Sequence, residues 1–392
     1  MTRNVYGWVV VAAVFVMAMF SFGLGFYGVT VYVAALQRLQ GWSASTVSAP
    51  VTVYYVAGAL LTMMIGGVYE RLGPRLVVAG GSLALTAGVA GLGVVTQPWQ
   101  LYPVFLVMSL GWGAMSGAAI NIIVAPWWEE RRGLAISIAF NGATTGGVIV
   151  APVLIPLIEA LGFARALTVV AAGSVVLLLA AAASMRRPPR EPAAHRGDQS
   201  SARGNAVRTW RFWSASAPFA LGLAAQVGLL THLVTLVTPT LGVAGAARAV
   251  SATTATAMIG RLLTGAVVDR VGPRRAACVT LIVQILGVVV LARSSAPAMI
   301  YAGCVLFGLG VGNLTTLPGL VLAAEWPRSR FAALVALAVG INQLTFAFGP
   351  SLVGVIRDRA GSYAPALAAC ATLQALAAIL VVLGPGRAER PA

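Results

Sequence analysis

The sequence predicts an all-α, polytopic membrane protein whose twelve transmembrane helices form two six-helix halves. Its residues are 59% hydrophobic and only 9% charged, and its mean hydropathy is +0.89. This composition is too apolar for a water-soluble chain of this length. A ten-residue loop sequence recurs after 199 positions, and each copy joins two long apolar runs. Composition and internal repeat together indicate a duplicated membrane unit.

Twelve apolar runs are long enough to cross a bilayer, which takes about 20 residues of helix. They cover residues 8–36, 45–69, 76–96, 101–126, 133–160, 165–184, 212–238, 248–268, 276–293, 298–324, 332–356 and 363–384. The first run is too long for a signal-peptide core, so we interpret it as the first span. The runs group into an N-terminal half (1–184) and a C-terminal half (212–392). The arginine-rich stretch 185–211 between them predicts a flexible cytoplasmic linker that attracts anionic lipid head groups.

The repeated loop has a pattern that predicts a tight turn between two spans. It reads Gly66-Gly-Val-Tyr-Glu70-Arg71-Leu-Gly73-Pro74-Arg75 and then Gly265-Ala-Val-Val-Asp269-Arg270-Val-Gly272-Pro273-Arg274. Gly73 and Gly272 permit the turn. The proline after each glycine suits the first turn of the next helix. The acid of each copy is expected to pair with a neighbouring arginine or a helix N-terminus. The alternative is a turn that serves membrane topology alone.

The formal net charge of +16 comes from arginine, because all 26 basic residues are arginine and none is lysine. Nineteen of them lie in loops on one side of the predicted spans and six on the other. By the positive-inside rule the arginine-rich side is cytoplasmic, and both termini lie there. Because the arginines mark the ends of spans instead of one basic face, we expect no nucleic-acid partner.

Arg261 lies inside the eighth predicted span, about two helical turns from its cytoplasmic end. A charge near the bilayer centre costs about 2.5–3.5 kcal/mol, so this side chain should face the bundle interior. The sequence places no acidic residue at a comparable depth in any span. An anionic substrate is therefore the favoured partner, and a guanidinium suits a carboxylate. The alternatives are a side chain that reaches the cytoplasmic surface or one that joins Asp269 in the loop.

Other polar residues at mid-span depth are candidates to line a substrate cavity, because lipid-facing polar groups are unfavourable. They are Tyr27, Tyr54, Tyr55, Asn121, Asn141, Thr144, Gln226, His232, Asn313, Asn342 and Gln343. Hydrogen bonding between helices is the alternative role of each. His232 is the only histidine within a span and the candidate proton carrier, although a neutral hydrogen-bonding role fits it equally.

The duplicated G-x-x-x-[DE]-R-x-G-x-R loop, together with twelve spans and a central linker, resembles the signature of the major facilitator superfamily. The resemblance implies the fold of that family and a cytoplasmic gate that holds the inner side shut in the outward-open state. The residues that would form this gate are Gly66, Glu70, Arg71, Gly73, Arg75, Asp269, Arg270, Gly272 and Arg274.

Within that family the chain is similar to the monocarboxylate transporter and oxalate/formate antiporter branch. The similarity rests on Arg261, four residues before Gly265, and on Trp127-Trp-Glu-Glu-Arg131-Arg132-Gly-Leu134-Ala135 at the start of the fifth span. It implies that Arg261 binds the substrate carboxylate. Ala257 replaces a membrane aspartate of the animal monocarboxylate transporters, and their first-span lysine is absent. A proton route through those two residues is therefore not expected.

These observations predict a secondary active transporter of small organic anions, monocarboxylates in particular, that works by alternating access. The alternative is an efflux transporter of amphipathic drugs or other small molecules. An enzyme is disfavoured because the spans carry no HExxH motif and no mid-span acid. An ATP-driven pump is disfavoured because its phosphate loop would need a lysine, and the chain has none. We expect a monomer in the cell (inner) membrane with no metal or cofactor. Its partners would be the anion, membrane lipid and, as candidate coupling ions, protons.

Overall fold

The computed structural model describes residues 3–128, 132–187, 207–326 and 328–384. In these residues the backbone is helical nearly throughout, which confirms the predicted all-α membrane fold. Ten helical segments of the described chain are long and apolar enough to cross a membrane. One of them, Trp210–Val268, contains two spans, because Gly242 interrupts it with φ 68° and ψ 176°. The shorter apolar helix Pro297–Val311 supplies most of another span, so the described residues hold twelve spans.

The first six spans consist of helices α1 to α8. Span 1 is α1 (Arg3–Phe22), a π-helix (Gly23–Tyr27) and α2 (Gly28–Gln40), span 2 is α3 (Ala44–Leu72), and span 3 is α4 (Pro74–Leu92). Span 4 is α5 (Leu101–Ala114) and α6 (Gly117–Val124), span 5 is α7 (Arg132–Leu161), and span 6 is α8 (Phe163–Ser184).

The last six spans consist of helices α9 to α15. Spans 7 and 8 share α9 (Trp210–Val271), span 9 is α10 (Pro273–Arg293), and span 10 is α11 (Pro297–Val311) and α12 (Leu317–Glu325). Span 11 is α13 (Arg328–Phe346) and α14 (Gly349–Ala360), and span 12 is α15 (Ala364–Val382). Spans 4 and 10 are both interrupted, at positions that the repeat offset of 199 residues relates to each other.

The chain divides into two compact units. Unit 1 comprises Met1–Pro192 and Thr231–Ser251, and unit 2 comprises Ala193–Leu230 and Ala252–Ala392. The segment around the Gly242 bend therefore groups with the first six spans. Most of the predicted linker 185–211 lies outside the described residues, so its flexibility and the predicted boundaries of the two halves stay predictions.

The repeated loops form the tight turns that the sequence predicts. Gly73 and Gly272 have φ values of 81° and 89°, a region that favours glycine. Pro74 and Pro273 follow as the first residues of α4 and α10, where a missing N–H costs no helical hydrogen bond. Each turn thus ends one span and begins the next within a single residue.

Candidate substrate-binding site and cytoplasmic gate

Residues 253–260 of span 8 and helix α11 of span 10 approach each other closely through glycines. A Cβ atom on Gly260 would lie 1.9 Å from the Leu309 carbonyl oxygen, and one on Gly308 would lie 2.4 Å from that of Thr253. Only a residue without a side chain fits such contacts, and small residues let membrane helices pack in this way. The two backbones therefore lie side by side next to Arg261.

Arg261 contacts span 10 at the point where that span is interrupted. Its Nε donates a long hydrogen bond, 3.4 Å, to the carbonyl oxygen of Gly312, and the Thr315 hydroxyl donates to the same oxygen at 2.9 Å. The approach depends on glycine, because a Cβ on Gly312 would lie 3.1 Å from Nε and Nη2 of the arginine. The side chain is half-buried. The Gly312 contact thus orients a planar fork of donors that suits a carboxylate.

Asn313 lies in the same interruption and bonds to three neighbours in unit 2. Its Nδ2 donates to the Thr264 hydroxyl at 2.7 Å, to the Leu309 carbonyl at 3.2 Å and to the Thr280 hydroxyl at 3.4 Å. The carbonyl of Leu309 can only accept, which fixes the orientation of the amide. The Asn313 side chain therefore links span 8 and span 9 to helix α11 of its own span.

Gln226 belongs to a chain of three buried glutamines in unit 2. Its Oε1 accepts a hydrogen bond from Gln284 Nε2 at 2.8 Å, and Gln284 Oε1 accepts one from Gln374 Nε2 at 3.0 Å. The three residues lie on spans 7, 9 and 12, and each is at most 1% exposed. These bonds join helices, which is the alternative role considered for Gln226, and its contact with substrate stays a prediction.

Tyr27 and Tyr55 belong to an aromatic cluster around Trp112 in unit 1. The Phe26 ring lies nearly parallel to the Trp112 ring, with centroids 6.0 Å apart and 14° between the planes. Tyr27 meets Phe26 edge-on at 5.2 Å, and Tyr55 meets Trp112 edge-on at 6.1 Å. The cluster adjoins the π-helix Gly23–Tyr27, and such helical irregularities are frequent at functional sites.

The other cavity candidates differ in burial. Tyr54, Thr144, His232, Asn313 and Asn342 are buried, Asn141 and Gln343 are half-buried, and Asn121 is exposed. Tyr54 donates to the Gly25 carbonyl at 2.7 Å, and Asn121 donates to the Gly117 carbonyl at 2.9 Å. His232 lies in the part of α9 that groups with unit 1. Substrate or proton binding by any of these side chains stays a prediction.

The first copy of the predicted gate lies at the protein surface. Glu70, Arg71 and Arg75 are exposed, and a Cβ on Gly66 would meet no atom within 4 Å. The Arg71 carbonyl accepts a hydrogen bond from Arg187 Nη2 at 2.8 Å. Exposure keeps these side chains accessible to a partner element, as a gate requires, but their role as a gate stays a prediction.

In the second copy, Arg274 forms a network inside unit 2. Its Nε and Nη2 donate to the two carboxylate oxygens of Glu325 at 2.5 and 3.0 Å. Its Nη1 donates to the carbonyl oxygens of Ser214 at 3.0 Å and Val381 at 2.9 Å. One guanidinium thereby joins the start of span 7, the start of span 9, the end of span 10 and the end of span 12.

The rest of the second copy is less fully described. Arg270 is exposed and Gly272 forms the turn, whereas the side chain of Asp269 lies outside what the structure describes. Sequence reasoning missed Glu325, although a signal was present: it precedes Trp326, and the equivalent position before Trp127 is Pro126. Its partner Arg274 has the counterpart Arg75 in the first copy, so the acid, and not the arginine, distinguishes the second copy.

The sequence pattern of the Major Facilitator Superfamily matches residues 13–260 and 239–392, which together cover nearly the whole chain. The chain belongs to the major facilitator superfamily. It is therefore a multi-pass membrane protein and a secondary transporter rather than an enzyme. Membership does not select the monocarboxylate branch, which stays a resemblance carried by Arg261 and its neighbours.

Relatives of this major facilitator protein include transporters with different names. It is 26% identical over 387 residues to the MFS-type transporter hasB of Aspergillus fumigatus, covering 91% of the chain and 83% of that relative. It is 31% identical over 169 residues to MFS-type transporter 1 of Ophiocordyceps, a match that spans 42% of the chain but only 37% of that relative. A putative anionic 4-hydroxy-benzoate permease of Thauera aromatica is 38% identical over 96 residues, 24% of the chain and 58% of the relative.

Solved structures support the fold. The crystal structure of the nucleoside transporter NupG is similar with a TM-score of 0.77 and covers 95% of this chain and 98% of its own. Sequence identity in that comparison is 12%, so the likeness concerns the architecture and not the substrate.

Proposed function

We propose that this protein transports small organic anions, monocarboxylates in particular, and that Arg261 binds the substrate carboxylate. The observation that carries the proposal is the place of Arg261, a half-buried charge oriented by the Gly312 carbonyl at the interruption of span 10. Ionisable side chains within spans are costly and usually functional. Interrupted spans are where secondary transporters form their substrate and ion sites.

The relative named as an anionic 4-hydroxy-benzoate permease adds support for an anionic substrate. In the proposed cycle the carboxylate binds Arg261, and the protein alternates between inward-open and outward-open states. The exposed residues Glu70, Arg71 and Arg75 would control the cytoplasmic side in that cycle. The proposal that Arg261 binds a carboxylate does not depend on the direction of transport or on coupling to protons.

Replacement of Arg261 tests the proposal. Arg261→Ala removes a charge-assisted interaction worth about 1.5–3 kcal/mol, so carboxylate affinity should fall about 10- to 150-fold. Arg261→Lys keeps the charge but loses the planar fork, and should recover only part of the affinity. The measurements are uptake of radiolabelled monocarboxylates into proteoliposomes and the thermal stabilisation of purified protein by each acid.

The matched control is Arg293→Ala, which removes an exposed arginine from the end of span 9. It should transport as the parent protein does, because the arginine lies outside the proposed site. Undiminished carboxylate uptake by a well-folded Arg261→Ala protein would contradict the proposal.

Efflux of amphipathic molecules is the second candidate function. The aromatic cluster around Trp112 favours it, because aromatic side chains bind apolar rings of many shapes. A thermal-shift panel that contains small carboxylates, sugars and cationic drugs separates the candidates. Stabilisation by cationic drugs alone would select efflux, whereas stabilisation by carboxylates that depends on Arg261 would select anion transport.

A further inference from the structure

Span 4 is interrupted in unit 1 in a way that leaves hydrogen-bond donors without acceptors. Helix α5 ends at Ala114 and α6 begins at Gly117, with Met115 and Ser116 between them. The carbonyl groups on the α5 side have partners: the Tyr69 hydroxyl donates to the Ala114 carbonyl at 2.8 Å and the Ser21 hydroxyl donates to the Met115 carbonyl at 3.2 Å.

The donor side of the same interruption is different. Among the described residues, no acceptor contacts the N–H groups of Gly117, Ala118 and Ala119, and the first N–H to be bonded is that of Ile120, to the Ser116 carbonyl at 3.2 Å. Ser116 is the N-cap of α6, yet its side chain accepts no capping bond. The first turn of α6 is thus an uncapped helix N-terminus in the middle of a span.

The Ser116 hydroxyl provides the second, independent observation. Ser116 is 0% exposed, and its Oγ has no hydrogen-bond partner in the described structure. A buried hydroxyl without a partner is costly, so such a group normally contacts a bound molecule or water. Because Ser116 is the N-cap, this hydroxyl lies at the open end of α6, next to the unbonded N–H groups.

We propose that this end of α6, defined by Ser116, Gly117 and Ala118, is a binding site for a small oxyanion of the carboxylate class. A helix N-terminus carries about half a positive charge and presents N–H donors, which together suit an anion. Half-helix N-termini in interrupted spans bind anionic substrate groups in secondary transporters. Gly117 and Ala118 are half-buried, and the Phe140 ring lies against Gly117.

The equivalent interruption in unit 2 is built differently, which makes the site specific to unit 1. There the N–H groups of Thr316 and Leu317 both donate to the Asn313 carbonyl, at 3.0 and 2.9 Å. The hydroxyl of Thr315, the position related to Ser116 by the repeat, donates to the Gly312 carbonyl at 2.9 Å. The donors that stay open in unit 1 are therefore used in unit 2.

The site is tested by the charge preference of a cysteine placed in it. Ser116→Cys is made in a protein whose Cys278, Cys304 and Cys370 are replaced by alanine, and the rates of modification by an anionic and a cationic methanethiosulfonate are measured. Each rate is divided by the rate at which the same reagent modifies a small thiol in solution. On this scale the anionic reagent should react about five-fold faster or more than the cationic one, because of the helix end alone. The control is Thr145→Cys, in the middle of α7, which should show no such preference.

Sodium acetate, compared with sodium chloride at equal ionic strength, is the probe for binding. It should slow modification of Ser116→Cys and leave Thr145→Cys unchanged. Ala118→Cys gives the same readout should Ser116→Cys fail to fold. Equal charge preference at the two positions, an unreactive site cysteine, or anion preference without protection by acetate would each overturn the proposal.

The Arg261→Ala background separates this site from the carboxylate site proposed at Arg261. Protection by acetate that persists in that background supports a distinct site at Ser116, whether or not the protein transports monocarboxylates. Protection that disappears in that background would assign the acetate effect to Arg261 and overturn the proposal for unit 1.

Discussion

Arg261 occupies the position in the second repeat that Thr62 occupies in the first. The Thr62 hydroxyl donates to the Gly58 carbonyl of its own helix at 2.8 Å. Arg261 instead reaches the Gly312 carbonyl of another span. A single substitution in the repeat therefore changes a contact within one helix into a contact between spans, and it adds a positive charge. At this position the two halves therefore differ in both charge and contact.

Arg274→Ala is expected to destabilise the protein far more than Arg75→Ala, its counterpart in the first repeat. The Arg274 and Glu325 side chains are 14% and 6% exposed, so loss of the arginine leaves a buried carboxylate without a counter-charge, at a cost of about 3–5 kcal/mol. Arg75 is exposed, and removal of an exposed charge costs about 0–1 kcal/mol. Denaturant unfolding of the purified variants in detergent measures both effects. Equal midpoints for the two variants would contradict the network described for Arg274.

At the scale of single helices, the packing of span 8 against α11 decides where Arg261 lies. Gly260→Ala would place a methyl group 1.9 Å from the Leu309 carbonyl oxygen, so the two helices must separate. Separation removes Arg261 from Gly312, and carboxylate affinity should fall together with stability. Ligand-dependent thermal stabilisation of the variant, measured with the best substrate of the parent protein, checks both effects.

Gly319→Ala is the control for that experiment. Gly319 lies in α12 of the same span 10, and a Cβ there would meet no atom within 4 Å. Alanine within a helix is favoured over glycine by about 0.5–1 kcal/mol, so this variant should be as stable as the parent or more so. Equal loss in both variants would contradict the role given to the close contact between span 8 and α11.

At the scale of the whole molecule, the distribution of arginine predicts the orientation in the membrane. Because nineteen arginines lie on one side of the spans and six on the other, both termini should be cytoplasmic. A green fluorescent protein fused to the C-terminus should therefore fluoresce, and alkaline phosphatase at the same place should be inactive. Fusions made after Trp42, in the first loop on the opposite side, should give the reverse pattern. Alkaline phosphatase activity at the C-terminus would contradict the predicted topology.

The membrane fold was predictable from the sequence because its signals are local. Each span is recognisable as an apolar run, because a helix needs about 20 apolar residues to cross a bilayer. The turns at Gly73 and Gly272 were predictable as well, because a positive φ favours glycine and a proline suits the residue after it. The offset of 199 residues related the two halves, whereas the interruptions of spans 4 and 10 were not predicted and came from the structure.

The candidate sites were predictable only in part, because a residue type does not reveal its partner. Arg261 was identified from its depth and charge, but its contact with Gly312 depends on the close approach of two helices. Gln226 was a reasonable cavity residue from its depth, yet its amide bonds to Gln284 on another span. Depth in a span is encoded locally, whereas the direction of a side chain around the helix axis is set by packing.

The sequence by itself determined the twelve spans, the duplicated architecture and the positions that carry charge, because hydropathy and repeats are properties of the chain alone. Only the tertiary structure decided which groups are matched. Arg274 donates hydrogen bonds to the carboxylate of Glu325, whereas the Ser116 hydroxyl has no hydrogen-bond partner among the described residues. Hydrogen bonds between distant residues are short-range and directional, so they are fixed only once the helices have packed.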